Sequence, residues 1–210
     1  MLKFIKAEER LNVLTHAFGV IIGIGITPYF LLFHKSLTFQ TWLGLAVYCF
    51  SFIFLFLAST IYHSVSGDLK PVWRKIDHIA ILFLIAGTYT PVTLTVLFES
   101  SGVWMLTAVW SIAFLGLIFK LFYTGRYEVL SLSLYLGMGW LVLFDFKTIW
   151  LLFSPAALSY LILGGFFYTV GVYFYRLKGL KESHAIWHVF VLGGATSHVF
   201  MIQEVLLLLR

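Results

Sequence analysis

His184 and His188 stand one helical turn apart in the segment KESHAIWHVFVLGGATSHVFMIQEVLLLLR, residues 181–210. Side chains at i and i+4 share one face of an α-helix, so both imidazoles can address a single ion. Most of the segment is apolar enough to cross a bilayer, and a polar group in such a helix is costly enough to mark a functional site. Two other stretches bring suitable partners. Ser59 and His63 close one apolar run with the same i, i+4 spacing, in STIYH, and Asp77 lies at the start of the next, in IDH. Three imidazoles suit Zn²⁺, and three protein ligands leave a fourth position for water, the pattern of a catalytic rather than a structural zinc site. Asp77 would bind the ion, or orient and deprotonate that water. An HxxxH pair alone also fits two histidines hydrogen-bonded between helices; His63 and Asp77 at matching depth favour the metal. A di-iron desaturase needs more histidines and carboxylates, and a bis-histidine haem needs imidazoles facing each other across a ring.

Those residues can meet only if the chain folds as a bundle in the membrane. Of its 210 residues 61% are hydrophobic and 11% charged, too few charges to cover a soluble domain. Apolar runs of about 20 residues recur, the length that spans a hydrocarbon core. Hydropathy marks seven spans: Leu11–Phe33, Thr41–His63, Ile76–Phe98, Val103–Tyr123, Val129–Phe146, Pro155–Tyr175 and Ser183–Leu209. The expected fold is all-α, a polytopic seven-transmembrane-helix bundle forming one domain over residues 1–210, in the plasma or inner cell membrane. Lys147–Phe153 is expected at the interface, and Ser154-Pro155 supplies an N-cap and a first helical residue for the sixth span. The single cysteine, Cys49, permits no internal disulfide. The N-terminus is no signal peptide, because its apolar run is too long and no small-residue cleavage site follows. No P-loop, dinucleotide fingerprint or G-x-S-x-G elbow is present.

Basic residues orient the bundle. With the N-terminus cytoplasmic and the C-terminus outside, only Lys35, Lys147 and Arg210 fall on the outer side, and the other eleven of the fourteen Lys and Arg residues lie inside. That asymmetry follows the positive-inside rule. It also accounts for the net charge of +5 without nucleic acid; the partners expected are membrane lipids and a lipid substrate or ligand. In this orientation the second span ends, and the third and seventh begin, at the inner face, which brings His63, Asp77, His184 and His188 to one depth.

The remaining polar and small residues receive plainer readings. His198 lies about 15 Å along the helix from His188, too far to share an ion. His78 points about 100° away from Asp77 and is expected at the interface; His34 is expected in an outer loop. Asn12, His16, Gly19 and Gly23 form a stripe on the first helix, where His16 supports or packs beside the site. Glu8 and Glu9 suit the positive end of that helix. Gly19, Gly23, Gly25, Gly193 and Gly194 let helices approach closely, and Gly87 and Pro91 could loosen the third helix above the site.

The segments EERLNVLTHAFG, STIYH, DHIAILFLIAGTYTP and SHAIWHVFVLGGATSH together resemble the hemolysin III proteins, which belong with the progestin and adipoQ receptors and more distantly with the alkaline ceramidases. The resemblance runs across nearly the whole chain. It implies a seven-helix fold with the N-terminus inside, zinc bound by His63, His184 and His188, and Asp77 and Ser59 near the reacting water. Three functions are consistent with these features: a zinc-dependent intramembrane hydrolase of a lipid amide or ester, with Asp77 and Ser59 catalytic; a non-enzymatic regulator in which zinc staples helix ends together; and a pore-forming hemolysin. The last lacks a charged ring or a polar-lined span. A short N-terminal segment argues against a hormone-receptor role.

Overall fold

The computed structural model describes residues 5–33, 38–177, 179–180 and 182–209. Its helices are α1 (Arg10–Phe33, entered through a 3₁₀ turn at Ala7–Glu9), α2 (Phe39–Ser64), α3 (Leu69–Thr93), α4 (Val103–Tyr123), α5 (Glu128–Gly139), α6 (Phe146–Leu152), α7 (Pro155–Arg176) and α8 (Ser183–Leu207). Seven stretches are long and apolar enough to span a membrane, because α5, a 3₁₀ segment at Trp140–Asp145 and α6 run on as one. His34, Lys35 and Arg210, for which positions in outer segments were expected, lie outside the described residues.

Two spans differ from the hydropathy reading. The third begins at Leu69 rather than Ile76 and ends at Thr93 rather than Phe98. Lys70, Arg74 and Lys75 lower the local hydropathy without breaking a helix, since their long stems can run along it while the charges reach the headgroups. Pro71 sits in the first turn, where no intrahelical N–H bond is lost. The fifth apolar stretch continues to Leu152, so Lys147–Leu152 is helix joined to that span, which the hydropathy reading ended at Phe146. No strong breaker intervenes before Ser154-Pro155, where Ser154 Oγ accepts from Ala157 N at 3.0 Å and opens α7.

The core lies between α2, α3 and α8. Tyr48, Phe52 and Phe56 of α2, Leu84 of α3 and Met201 and Ile202 of α8 are almost wholly buried, while Ile21, Phe122 and Phe144 present 66%, 74% and 78% of their surface outward. In a span such side chains belong against acyl tails. Close approach of α2 and α3 depends on Gly87: a Cβ there would stand 2.0 Å from Ser51 Oγ. Gly87 therefore serves packing, and α3 stays helical through it to Thr93. Gly25, in contrast, faces open space and joins no helix contact; the expectation of close packing there fails, because it lies off the Gly19–Gly23 face that meets α2.

Candidate metal centre

One end of the bundle collects the start of α1, the end of α2, the first turns of α3 and the start of α8. Here His63, His184 and His188 each offer a ligand atom within 4.8 Å of the others. Their ring centroids are 4.7 Å (His184–His188), 4.9 Å (His63–His188) and 5.1 Å (His63–His184) apart. The i, i+4 spacing on α8 produces the first distance; α1 and α3, each packed against both α2 and α8, bring the end of α2 to the start of α8 and produce the other two. Among the described residues no further His, Cys, Asp or Glu joins this set.

The protonation pattern of His63 follows from its neighbours. Its Nδ1 donates to Glu9 Oε2 at 2.6 Å, so Nε2 is the ring nitrogen left free, and that atom is buried with no hydrogen-bond partner among the described residues. A buried, unpartnered imidazole nitrogen pointing into a group of imidazoles is what a metal ligand requires. Three histidines so placed could hold a metal ion. Glu9 is held in turn: Asn12 Nδ2 donates to Oε2 at 2.9 Å and Lys70 Nζ to Oε1 at 2.8 Å. Lys70 also donates to Tyr62 O at 2.8 Å, which ties α1, α2 and α3 together. On the other side, His188 Nδ1 lies 3.4 Å from both Thr15 Oγ1 and the Asn12 carbonyl oxygen.

Asp77 and Ser59 line the same cavity as His184 and His188. Ser59 Oγ is buried beside Asp77, without a contact that meets hydrogen-bond geometry. Asp77 stands outside the three-ligand group. His78 also lines the cavity, and its Nδ1 is shielded from solvent; it is turned inward, contrary to the interfacial position expected, because α3 begins two turns earlier. His16 stands outside the trio and stacks on His188 with centroids 3.7 Å apart. His198 packs into the groove left by Gly164, where a Cβ would fall 2.3 Å from its Nε2.

The cavity measures about 240 Å³. On α3 its wall runs from Asp77 through Ile81, Ile85 and Thr88 to Val92, about 22 Å of helix at 1.5 Å per residue. Beyond the polar end the lining is mostly aliphatic and aromatic. Trp140 and Leu143 after α5 and Ile162 on α7 belong to this wall while also being exposed on the outside of the bundle, so the cavity is thinly walled where α5 and α7 meet.

The family model for Haemolysin-III-related proteins matches residues 4–199. The chain belongs to that family. Glu9, His63, Asp77, His184 and His188 all lie within the matched stretch. Among relatives, the Hemolysin-3 homolog of Bacillus subtilis (strain 168) is 39% identical over 202 residues, covering 95% of this chain and 94% of that protein. Hemolysin-3 of Bacillus cereus is 37% identical over 205 residues, covering 96% and 93%. The human Monocyte to macrophage differentiation factor is 30% identical over 218 residues, covering 95% and 84%. This Haemolysin-III-related chain is therefore a multi-pass membrane protein.

Sequence reasoning missed Glu9, Asn12 and Lys70 as supports of the site. The signal was present: Glu9, Asn12 and His16 are spaced i, i+3, i+7, one face of a helix. Extending the Asn12–His16 stripe back by one turn reaches Glu9. The helix-dipole reading of Glu9 stopped at the local sequence and did not ask what a carboxylate at that depth faces. Lys70 was counted only as a topology charge.

Proposed function

We propose that this protein is a zinc-dependent hydrolase of a lipid amide or ester, working within the membrane at the cytoplasmic end of the bundle. The observation that carries the reading is a cluster of three convergent imidazoles, two of which, His184 and His188, line a cavity that also holds a separate carboxylate and a long apolar wall. His63, His184 and His188 would hold Zn²⁺, which suits an imidazole set with an open position. When bound there it supplies Lewis acidity, polarising a carbonyl and acidifying water.

The chain's own residues divide the remaining work. The aliphatic wall along α3 takes the acyl tail and keeps bulk water from the carbonyl. Asp77 accepts a proton from the water whose oxygen attacks the carbonyl carbon. It returns that proton to the leaving nitrogen or oxygen as the acyl bond breaks, so no net proton is gained. The Ser59 hydroxyl, adjacent to Asp77 and otherwise unpartnered, is placed to donate to its carboxylate or to the developing oxyanion. Glu9 fixes the His63 tautomer with Nε2 presented to the ion.

A second reading is favoured by a different observation. The Glu9–His63–Lys70 network ties three helices at the metal end, as it would if zinc only stapled a non-enzymatic regulator. One experiment separates the two. Asp77→Ala protein, loaded with zinc to the parent level, is assayed against ceramide-like amides in detergent micelles. Loss of about 10²–10⁴-fold in turnover is expected for removal of a general acid–base group. Parent-level turnover removes the proposed mechanism, and no turnover by the parent itself leaves the staple as the better reading.

A further inference from the structure

The mouth of the cavity carries cations that the metal chemistry does not use. Lys120, near the end of α4, is only 3% exposed. Its Nζ donates to Ser131 Oγ at 2.5 Å and lies 5.5 Å from the Tyr135 ring centre and 5.8 Å from that of Phe119. Arg74, one turn before Asp77 and His78 on α3, reaches the turn between α4 and α5. Its guanidinium fills the space beside Gly125, whose φ of +81° and missing Cβ make room; a Cβ there would fall 2.9 Å from Nη1. Arg126 follows at the exposed rim. All three line the cavity that holds His184 and His188, together with two acids, Asp77 and Glu128. The ion pairs among the described residues are His63–Glu9 and Lys70–Glu9; Lys120, Arg74 and Arg126 have no carboxylate within 4.0 Å.

A sequestered ammonium costs several kcal/mol unless an anion or full hydrogen bonding offsets it. One hydroxyl and two ring faces offset only part of that for Lys120. The segments supplying the cations (α3, α4 and the α4–α5 turn) approach from separate directions, which suits a tetrahedral anion that accepts on several sides better than a planar carboxylate. Basic pockets between membrane helices are, in general, headgroup sites, and here the apolar wall begins directly behind the charges.

We propose that Lys120 and Arg74, with Arg126 at the rim, form a binding site for the phosphate of an anionic lipid whose acyl tail occupies the cavity. This site goes beyond the hydrolase reading, because it is defined by binding and stands whether or not the bound lipid is cleaved.

The test is native mass spectrometry of the purified, metal-replete protein, offered in turn dioleoyl phosphatidic acid, dioleoylglycerol, oleic acid and inorganic phosphate. One phosphatidic acid per chain is expected, retained at least about tenfold more strongly than dioleoylglycerol, in line with the cost of losing a buried charge partner. Dioleoylglycerol held equally well would overturn the site, oleic acid held equally well would replace phosphate with carboxylate, and inorganic phosphate competing at equal concentration would remove the lipid. Lys120→Met and Arg74→Gln should each lower retention about tenfold or more, Lys120→Arg should restore it, and Lys75→Gln, exposed on α3 away from the cavity wall, should leave it unchanged. An equal loss in Lys75→Gln assigns the effect to general surface attraction and overturns the proposal. Should a Lys120 variant fail to fold, the four-ligand panel on the parent still decides.

Discussion

In α2, α3 and α8, 56% of an 18-residue membrane window is buried inside the protein; in the fifth span and α7 the figures are 17% and 22%. The three buried helices carry His63, Asp77, His184 and His188. The other two supply the thin outer wall of the cavity. The contrast separates two physical requirements. Ligand atoms must keep their spacing to within a few tenths of an ångström, which only close-packed helices can enforce. A wall against a flexible tail must yield, and sparse packing allows that. If the division is real, changes in the packed half should act on the metal, and changes in the wall should act on lipid selection.

The largest effect is expected from the ligands themselves. His188→Ala should lower zinc affinity by well over 100-fold, beyond the upper end of the range for outer partners, while the seven-helix fold persists in circular dichroism. Glu9→Gln comes next. Glutamine keeps the size but weakens the charge-assisted bond to His63 Nδ1, and the cost expected is about 10–100-fold in zinc affinity by chelator competition. Glu8→Gln is the matched control, since Glu8 is exposed and makes no such contact. Equal effects of the two would show that Glu9 acts by general charge and not by orienting the imidazole.

Packing changes should then sharpen the contrast. Gly87→Ala forces a Cβ against Ser51 Oγ at 2.0 Å and should destabilise by about 1–3 kcal/mol, the usual cost of overpacking a filled interface. Gly137 on α5 has nothing within 4 Å of an added Cβ. Gly137→Ala should be neutral or stabilise by up to about 1 kcal/mol through helix propensity. Thermal unfolding in one detergent measures both. A neutral Gly87→Ala would mean that α2 and α3 can separate, and the rigid half would lose its basis.

Much of this contrast was legible in the sequence, for identifiable reasons. A membrane span announces itself through composition, and HxxxH on α8 through its helical period, so the fold class and the histidine set could be read directly. The depth of His63 relative to His184 followed from counting spans. The supports were harder to read. Glu9 touches His63 across 54 residues of sequence; the stripe through Asn12 and His16 reaches it, but Glu8, four residues before Asn12, lies on much the same helical face. The start of α3 was misplaced because hydropathy reports which residues prefer lipid, whereas Lys70, Arg74 and Lys75 are helical through backbone bonds that ignore polarity. That shift hid both Lys70 beside Glu9 and Arg74 at the cavity mouth. The role of Gly87 was obscured because a glycine in a helix reads alike whether it loosens the backbone or admits a neighbour, and only Ser51 decides between them.

The smallest effect expected is also the most selective. Gly165 on α7 faces the indole of Trp140, 3.4 Å from where a Cβ would lie, and both residues line the cavity. Gly165→Ala therefore fits, but takes up space beside the tail. It should leave zinc content unchanged and stability within about 0.5 kcal/mol, the range of substitutions that break no specific interaction. What should change is the preferred chain length of bound amphiphiles. Losing room for about one methylene corresponds to roughly 0.8 kcal/mol, near a fourfold shift toward the shorter chain. Competition between amphiphiles of one headgroup and graded tails measures that shift. A fall in zinc content instead would show that wall and metal end move together; unchanged metal with a shortened preference is the outcome that keeps the two halves distinct.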